Sequence, residues 1–157
     1  LEEAFLKSLI SVGFVLPPAN SKFLITLGKI KDKVDFLPIA QKFKKLGFSF
    51  VGTAGTAEFL NKNDIECEMV HKISSQKHPH VEDLIENTEV SLVINTSNKF
   101  SHEEISDGYL IRRKAVDRNI PLIINLQIAK LLARSLLKIP NILEADLLSY
   151  EERASKY

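Results

Sequence analysis

The sequence predicts an α/β domain built on a parallel sheet with helices on both faces. Three observations carry that prediction. Short apolar runs at residues 23–27, 48–51, 65–70, 91–94 and 122–124 alternate with helical patterns, and strands joined through helices pair in parallel. Several of the runs are continuously apolar, as strands buried on both faces are. The second run passes through Gly52-Thr53-Ala54-Gly55-Thr56 directly into a helical pattern, a strand–loop–helix junction. Crossovers in such sheets are right-handed, and ligands bind outside the carboxyl ends of the strands where the strand order reverses.

Composition sets the outer bounds. The 157 residues are one domain's length and are 45% hydrophobic and 26% charged, values typical of a globular protein. With 21 basic and 20 acidic residues the formal net charge is +1, so no strong field draws the chain to nucleic acid or to an anionic membrane. Cys67 is the single cysteine, which excludes an intrachain disulfide and fits a reducing compartment. No apolar run reaches the roughly 20 residues that span a bilayer. Glu2 and Glu3 give the N-terminus the wrong charge for a signal peptide. The first residue is Leu rather than Met, and the chain reads as a piece of something longer.

Residues 2–12 predict a short amphipathic helix stopped by Gly13, followed by the linker Pro17-Pro18-Ala19-Asn20-Ser21. This helix reads as the end of a preceding domain, giving boundaries of 1–21, 22–138 and 139–157 for that end, the α/β domain and a tail. Phe23 to Leu27 predicts the first strand. Asp32 then caps a helix with apolar residues Phe36, Ile39, Ala40, Phe43 and Leu46 on one face, stopped by Gly47. After the strand at 48–51 comes a helix over 56–62, then a weaker strand over 65–70 and a polar loop over 71–79. A brief helix over 81–85 and a strand over 91–94 follow. Residues 95–106 read as a second polar loop and 109–118 as a helix, with Asp107 and Gly108 at its start. A strand over 122–124 and a long helix over 126–138 complete the pattern. The tail beyond Pro140 is polar, with one further turn over 145–150.

This topology collects the residues after each strand on one rim. The first strand is followed by Lys29, Lys31 and Lys33, and the second by Thr53, Gly55 and Thr56. His71 and Lys72 follow the third, Asn95, Thr96 and Ser97 the fourth, and Asn125 the fifth. Hydroxyls, amides and lysines hold a phosphate or carboxylate; they do not by themselves cleave anything. Glycines beside a helix N-terminus let the anion approach backbone N–H groups. Other chemistry finds less support. Neither a Gly-x-Gly-x-x-Gly nor a Walker A lysine motif is present. His71, His78 and His80 with Glu82 and Asp83 match no standard zinc spacing, so no metal is expected. Cys67 lies in a strand pattern facing the core, which disfavours a Cys67–His71 nucleophile pair. The Arg112-Arg113 pair reads as a solvated or salt-bridged helix face.

Taken in order, Thr53-Ala54-Gly55-Thr56, Val93-Ile94-Asn95-Thr96, Asp107-Gly108-Tyr109-Leu110-Ile111-Arg112-Arg113 and Asn119-Ile120-Pro121-Leu122-Ile123 form a specific set. Over residues 22–138 the chain resembles the methylglyoxal-synthase-like domain that forms the C-terminal allosteric region of the carbamoyl-phosphate synthase large subunit. Residues 3–7, Glu-Ala-Phe-Leu-Lys, resemble the end of the synthetase half before it. The resemblance implies a flavodoxin-like, three-layer fold with a five-stranded parallel sheet. It also implies a regulatory effector-binding domain, non-catalytic by itself, within a cytoplasmic or mitochondrial ATP-dependent C–N ligase. That parent would use ATP and Mg and serve pyrimidine or arginine biosynthesis; its synthetase domains would be this domain's partners, and the domain itself would need no cofactor.

By position, the resemblance gives Thr53 and Thr56 the effector's phosphate or carboxylate, with Gly55 between them and Lys72 and Lys33 as charge partners. Asn95, Thr96 and Ser97 would line the same pocket, and Gly108 stands where relatives often carry a polar side chain. The effector would be a small anionic metabolite such as UMP, UTP, IMP or N-acetylglutamate. Lys72 replaces a tryptophan of the animal relatives and favours a phosphorylated nucleotide, while Leu148-Ser149-Tyr150 in the tail look more like the animal forms. The alternative is a stand-alone lyase acting on dihydroxyacetone phosphate. The synthases' Gly-Gly-Asp is replaced by Ile73-Ser74-Ser75-Gln76-Lys77, which removes the general base such chemistry requires. A third reading is a binding domain whose site has decayed, leaving a structural role between domains.

Overall fold

A computed structural model describes residues 1–96 and 102–139, the side chains of 102–106 excepted. Five strands form one parallel sheet: β1 (Lys22–Leu27), β2 (Ser49–Thr53), β3 (Glu68–Val70), β4 (Leu92–Thr96) and β5 (Leu122–Ile123). Six helices surround it: α1 (Glu2–Ser11), α2 (Ile30–Lys45), α3 (Ala54–Lys62), α4 (Val81–Glu86), α5 (His102–Asp117) and α6 (Leu126–Lys138). A single 3₁₀ turn over Ile73–Ser75 interrupts the connection from β3 to α4.

The strand order is β3-β2-β1-β4-β5. The parallel three-layer architecture is as the sequence predicts. Its reversal of direction falls between β1 and β4, whereas flavodoxin itself, with order 2-1-3-4-5, reverses between its first and third strands. β1 and β4 are in register from Phe23 opposite Leu92 to Leu27 opposite Thr96, so their carboxyl ends finish level and open a crevice.

Alternation along the strands builds two cores. Phe23, Ile25 and Leu27 of β1 and Leu92 and Ile94 of β4 pack with α2 and α6 on one face. Leu24, Val51 and Val93 pack with Val81, Ile85, Ile111 and Ala115 of α4 and α5 on the other. Rings tie the first face together: Phe23 stacks on Phe48 at 4.5 Å and meets Phe43 edge-on at 5.0 Å. Offset and edge-to-face contacts of this kind add to the area buried. Helix α1 belongs to the same core through the fully buried Leu6. Its Glu2 carboxylate is 3.1 Å from Arg134 Nε and 2.9 Å from Lys138 Nζ of α6.

Some boundaries differ from expectation. Lys29, not Asp32, occupies the N-cap of α2, and Asp32 lies in the first turn, where its charge meets the positive end of the helix dipole. β3 is only three residues long, because Cys67 N–H is taken by the Asn61 side chain at 3.1 Å instead of by the sheet. Asn95 and Thr96 belong to β4 rather than to a loop, and α5 begins at His102, which places Asp107 and Gly108 inside a helix instead of at its start. Ser97, the turn over 145–150 and Leu148-Ser149-Tyr150 lie outside the described residues.

Candidate functional site

The crevice between β1 and β4 is a cavity lined by Thr26, Leu27 and Gly28 of β1 and its end, Thr53 of β2, and Asn95 and Thr96 of β4. Lys72 and Ile73 close it from the β3–α4 connection, and Asp107, Gly108 and Ile111 from α5. About 60 Å³ of it is reachable by the centre of a water molecule, room for several waters or for one small anionic group. Thr26 and Asn95 stand opposite each other in register and point toward α5, the same side as Leu24 and Val93 two residues earlier.

A hydrogen-bonded chain runs across the floor. Arg112 Nη1 donates to Asn95 Oδ1 at 2.9 Å, and Asn95 Nδ2 donates to Thr26 Oγ1 at 2.7 Å. The Thr26 hydroxyl, having accepted, keeps its own proton to give. Thr53 is the N-cap of α3, yet its side chain makes no capping bond, so its hydroxyl is left for the cavity. Thr96 Oγ1 is buried and has no partner among the described residues. On the far wall Ser74 Oγ donates to Asp107 Oδ2 at 2.9 Å, which fixes a carboxylate in the same space.

Of the residues singled out from sequence, Thr53, Lys72, Asn95, Thr96 and Gly108 therefore line one cavity. Lys33 and Gly55 lie together outside its lining, with Lys33 Nζ donating to the Gly55 carbonyl at 3.0 Å. Thr56 is turned inward at 1% exposure, and its hydroxyl accepts from Leu27 N–H at 3.1 Å. A Cβ at Gly108 would stand 3.2 Å from Arg112 Nη1, the donor that orients Asn95, so a larger residue there would shift that guanidinium by a few tenths of an ångström. The sequence reading missed Thr26, Asp107 and Arg112. A lone hydroxyl at the end of the apolar β1 run was the available signal for Thr26; Asp107 was marked only as part of the Asp107–Arg113 motif, and its 6% exposure depends on α5 folding over the cavity.

The rejected nucleophile stays rejected on physical grounds. Burial pushes the Cys67 thiol up to about 12, far from the thiolate that such chemistry uses. No helix of the described residues is long and apolar enough to cross a membrane.

A parallel five-stranded sheet with this order, carrying polar groups at its switch point, defines the class, and residues 35–124 match the family model of the MGS-like domain. The chain belongs to that family. Among curated proteins it is 38% identical over 133 residues to the carbamoyl phosphate synthase large chain of Clostridium botulinum (strain Eklund 17B / Type B), which covers 85% of this chain and 12% of that one. It is also 38% identical over 141 residues to the multifunctional protein pyr1-3 of Dictyostelium discoideum, 86% of this chain and 6% of that one. The chain thus spans only a small part of the length of the relatives it matches. A crystal structure of methylglyoxal synthase from Elizabethkingia anophelis NUHP1 shares the fold, with a TM-score of 0.59 at 15% identity over 75% of this chain and 80% of that one.

Proposed function

We propose that this is a regulatory domain that binds a small anionic effector at the β1/β4 crevice and acts within a carbamoyl-phosphate synthase. The observation that carries the reading is the convergence of Thr53, Lys72, Asn95 and Thr96 on one cavity at the switch point, where the Asn95 amide is held in place by Arg112 and Thr26. Lys72 supplies charge, and the Thr26 and Thr53 hydroxyls supply donors to a phosphate or carboxylate. Asp107 sets a limit. A bare polyanion would meet its carboxylate across the cavity, so the ligand that suits the site pairs an acidic group with hydroxyl or amine donors, as nucleotides do. The parent enzyme would make carbamoyl phosphate from ATP, bicarbonate and ammonia or glutamine. Its similarity to carbamoyl phosphate synthase large chains supports that setting. Regulation further requires that the effector bind two states of the whole enzyme with different affinity.

Calorimetric titration with UMP, UTP, IMP, ornithine and N-acetylglutamate tests the reading. Saturable binding of at least one, abolished or weakened at least about tenfold in Asn95→Ala, is expected, since a hydrogen bond to a charged group contributes about 1.5–3 kcal/mol. Absence of binding by folded protein to all five would leave only a structural role. Release of methylglyoxal from dihydroxyacetone phosphate would replace the regulatory reading with the lyase.

A further inference from the structure

On the opposite edge of the sheet from β5, the fold brings together three side chains that the effector cavity does not use. His78 and His80 lie on the connection from β3 to α4, and Asp83 lies in the first turn of α4. Their ligand atoms all lie within 4.8 Å of one another. His78 Nδ1 is 2.7 Å from Asp83 Oδ2, His80 Nδ1 is 3.5 Å from the same oxygen, and the two rings face each other at 4.4 Å. None of the three lines the cavity at the β1/β4 crevice.

The backbone holds this group in place. His80 pairs with His71 as an extension of the sheet, with His71 N–H donating to the Pro79 carbonyl at 3.2 Å and Val81 N–H to the His71 carbonyl at 3.0 Å. Asp83 is fixed from the other side by the His80 backbone N–H, which donates to Oδ2 at 2.8 Å. His80 is the most enclosed of the three: its side chain is only 12% exposed, and among the described residues its buried Nδ1 has the Asp83 carboxylate at 3.5 Å as its nearest charged neighbour. A ring nitrogen in that position has lost water and has only a long contact to a carboxylate in return.

We propose that His78, His80 and Asp83 form a binding site for a divalent transition-metal ion of the zinc class, separate from the effector cavity. Two imidazoles and one carboxylate are the donors that zinc, nickel and copper prefer over magnesium or calcium. Zinc holds such atoms at about 2.0–2.2 Å, which asks that the His80 ring and the exposed His78 ring close by roughly an ångström around the ion. Three protein ligands leave a further position for water. The groove beside the cluster also carries Glu68 and Glu89, whose charge favours a cation, although Lys22 pairs with Glu68 at 2.9 Å. An ion here would fasten the β3–α4 connection, which also bears Lys72, to the first turn of α4.

The test is a titration of the 157-residue chain, free of any histidine tag, with Co²⁺ followed by displacement with Zn²⁺. One equivalent of Co²⁺ should develop visible absorption of the intensity of a four- or five-coordinate nitrogen–oxygen site, and Zn²⁺ should erase it. His78→Ala leaves the fold intact because that side chain is 68% exposed, and it should weaken binding at least about tenfold. His80→Ala should abolish the absorption, with circular dichroism showing the chain still folded. A spectrum that stays that of aqueous Co²⁺, or binding that survives His78→Ala and His80→Ala unchanged, overturns the proposal.

Discussion

Thr53 and Thr56 sit three residues apart at one helix terminus, and sequence alone gives both the same task. Their surroundings divide them. Thr53 lines the cavity and makes no capping bond among the described residues, whereas the Thr56 hydroxyl accepts the Leu27 N–H where β1 runs out of strand partners. Thr56→Val would leave that buried N–H unsatisfied, which costs about 1–3 kcal/mol. Urea unfolding should show the loss in Thr56→Val and little change in Thr53→Val, while effector binding should show the reverse order. Equal destabilisation by both substitutions would mean that Thr53 is also structural. Gly52 illustrates a further point that sequence does not mark: a Cβ there would stand 2.8 Å from the Ile25 carbonyl oxygen, so close approach of β2 to β1, not turn geometry, requires the glycine. Residue type near a strand end was legible; which neighbour each side chain serves was not, because that depends on register between strands far apart in the chain.

At the scale of elements, legibility follows periodicity. Helix α6 is apolar at regular steps and capped by Asn125, whose Oδ1 accepts from Gln127 N–H at 2.7 Å, and its bounds coincide with expectation. Helix α5 gives a weaker signal. Gly108 costs about 1 kcal/mol within a helix and mimics a boundary, so the turn before it reads as loop. In α2 the apolar period carries the reading across Pro38, which is exposed and in the interior of a 16-residue helix. Proline has no N–H to give to the Val34 carbonyl, and its ring presses on the preceding turn. Pro38→Ala should therefore stabilise the protein by about 1–2 kcal/mol, the helical gain being reduced by the greater freedom of the unfolded chain. The urea midpoint should rise with its slope unchanged. A lower midpoint would show that the proline bends α2 to fit Phe36 and Phe43 against the Phe23 cluster.

The whole molecule depends on how α5 is held, since this helix supplies one wall of the cavity through Asp107, Gly108 and Ile111. Its other end is clamped to α4. Lys114 Nζ lies 2.8 Å from both Glu82 Oε1 and Glu86 Oε1, and Arg118 also meets Glu86. The hydrogen bond from Lys114 holds the Glu86 carboxyl below its usual range, and the Glu82 and Glu86 carboxylates hold Lys114 charged above its own. A depressed carboxyl stabilises the fold above its unfolded pKa and loses that contribution as pH falls through the folded value. A raised lysine keeps its contribution until pH climbs through the elevated value, well into alkali. The clamp is thus complete near neutrality and fails first in acid. Its side chains are about one-third exposed, so salt screens it and its effect is modest. Glu2 and Glu3 are depressed as well and add an acid loss of their own, so the comparison must be with a variant that lacks only the clamp. Between about pH 7 and the titration range of an ordinary glutamate near pH 4, the unfolding midpoint should fall more steeply for the parent chain than for Lys114→Met. High salt should shrink the difference. If the two acid profiles coincide at low salt, Lys114 adds nothing to the hold on α5, which then rests on Ile111 and Ala115 in the apolar layer and on the Arg118–Glu86 pair.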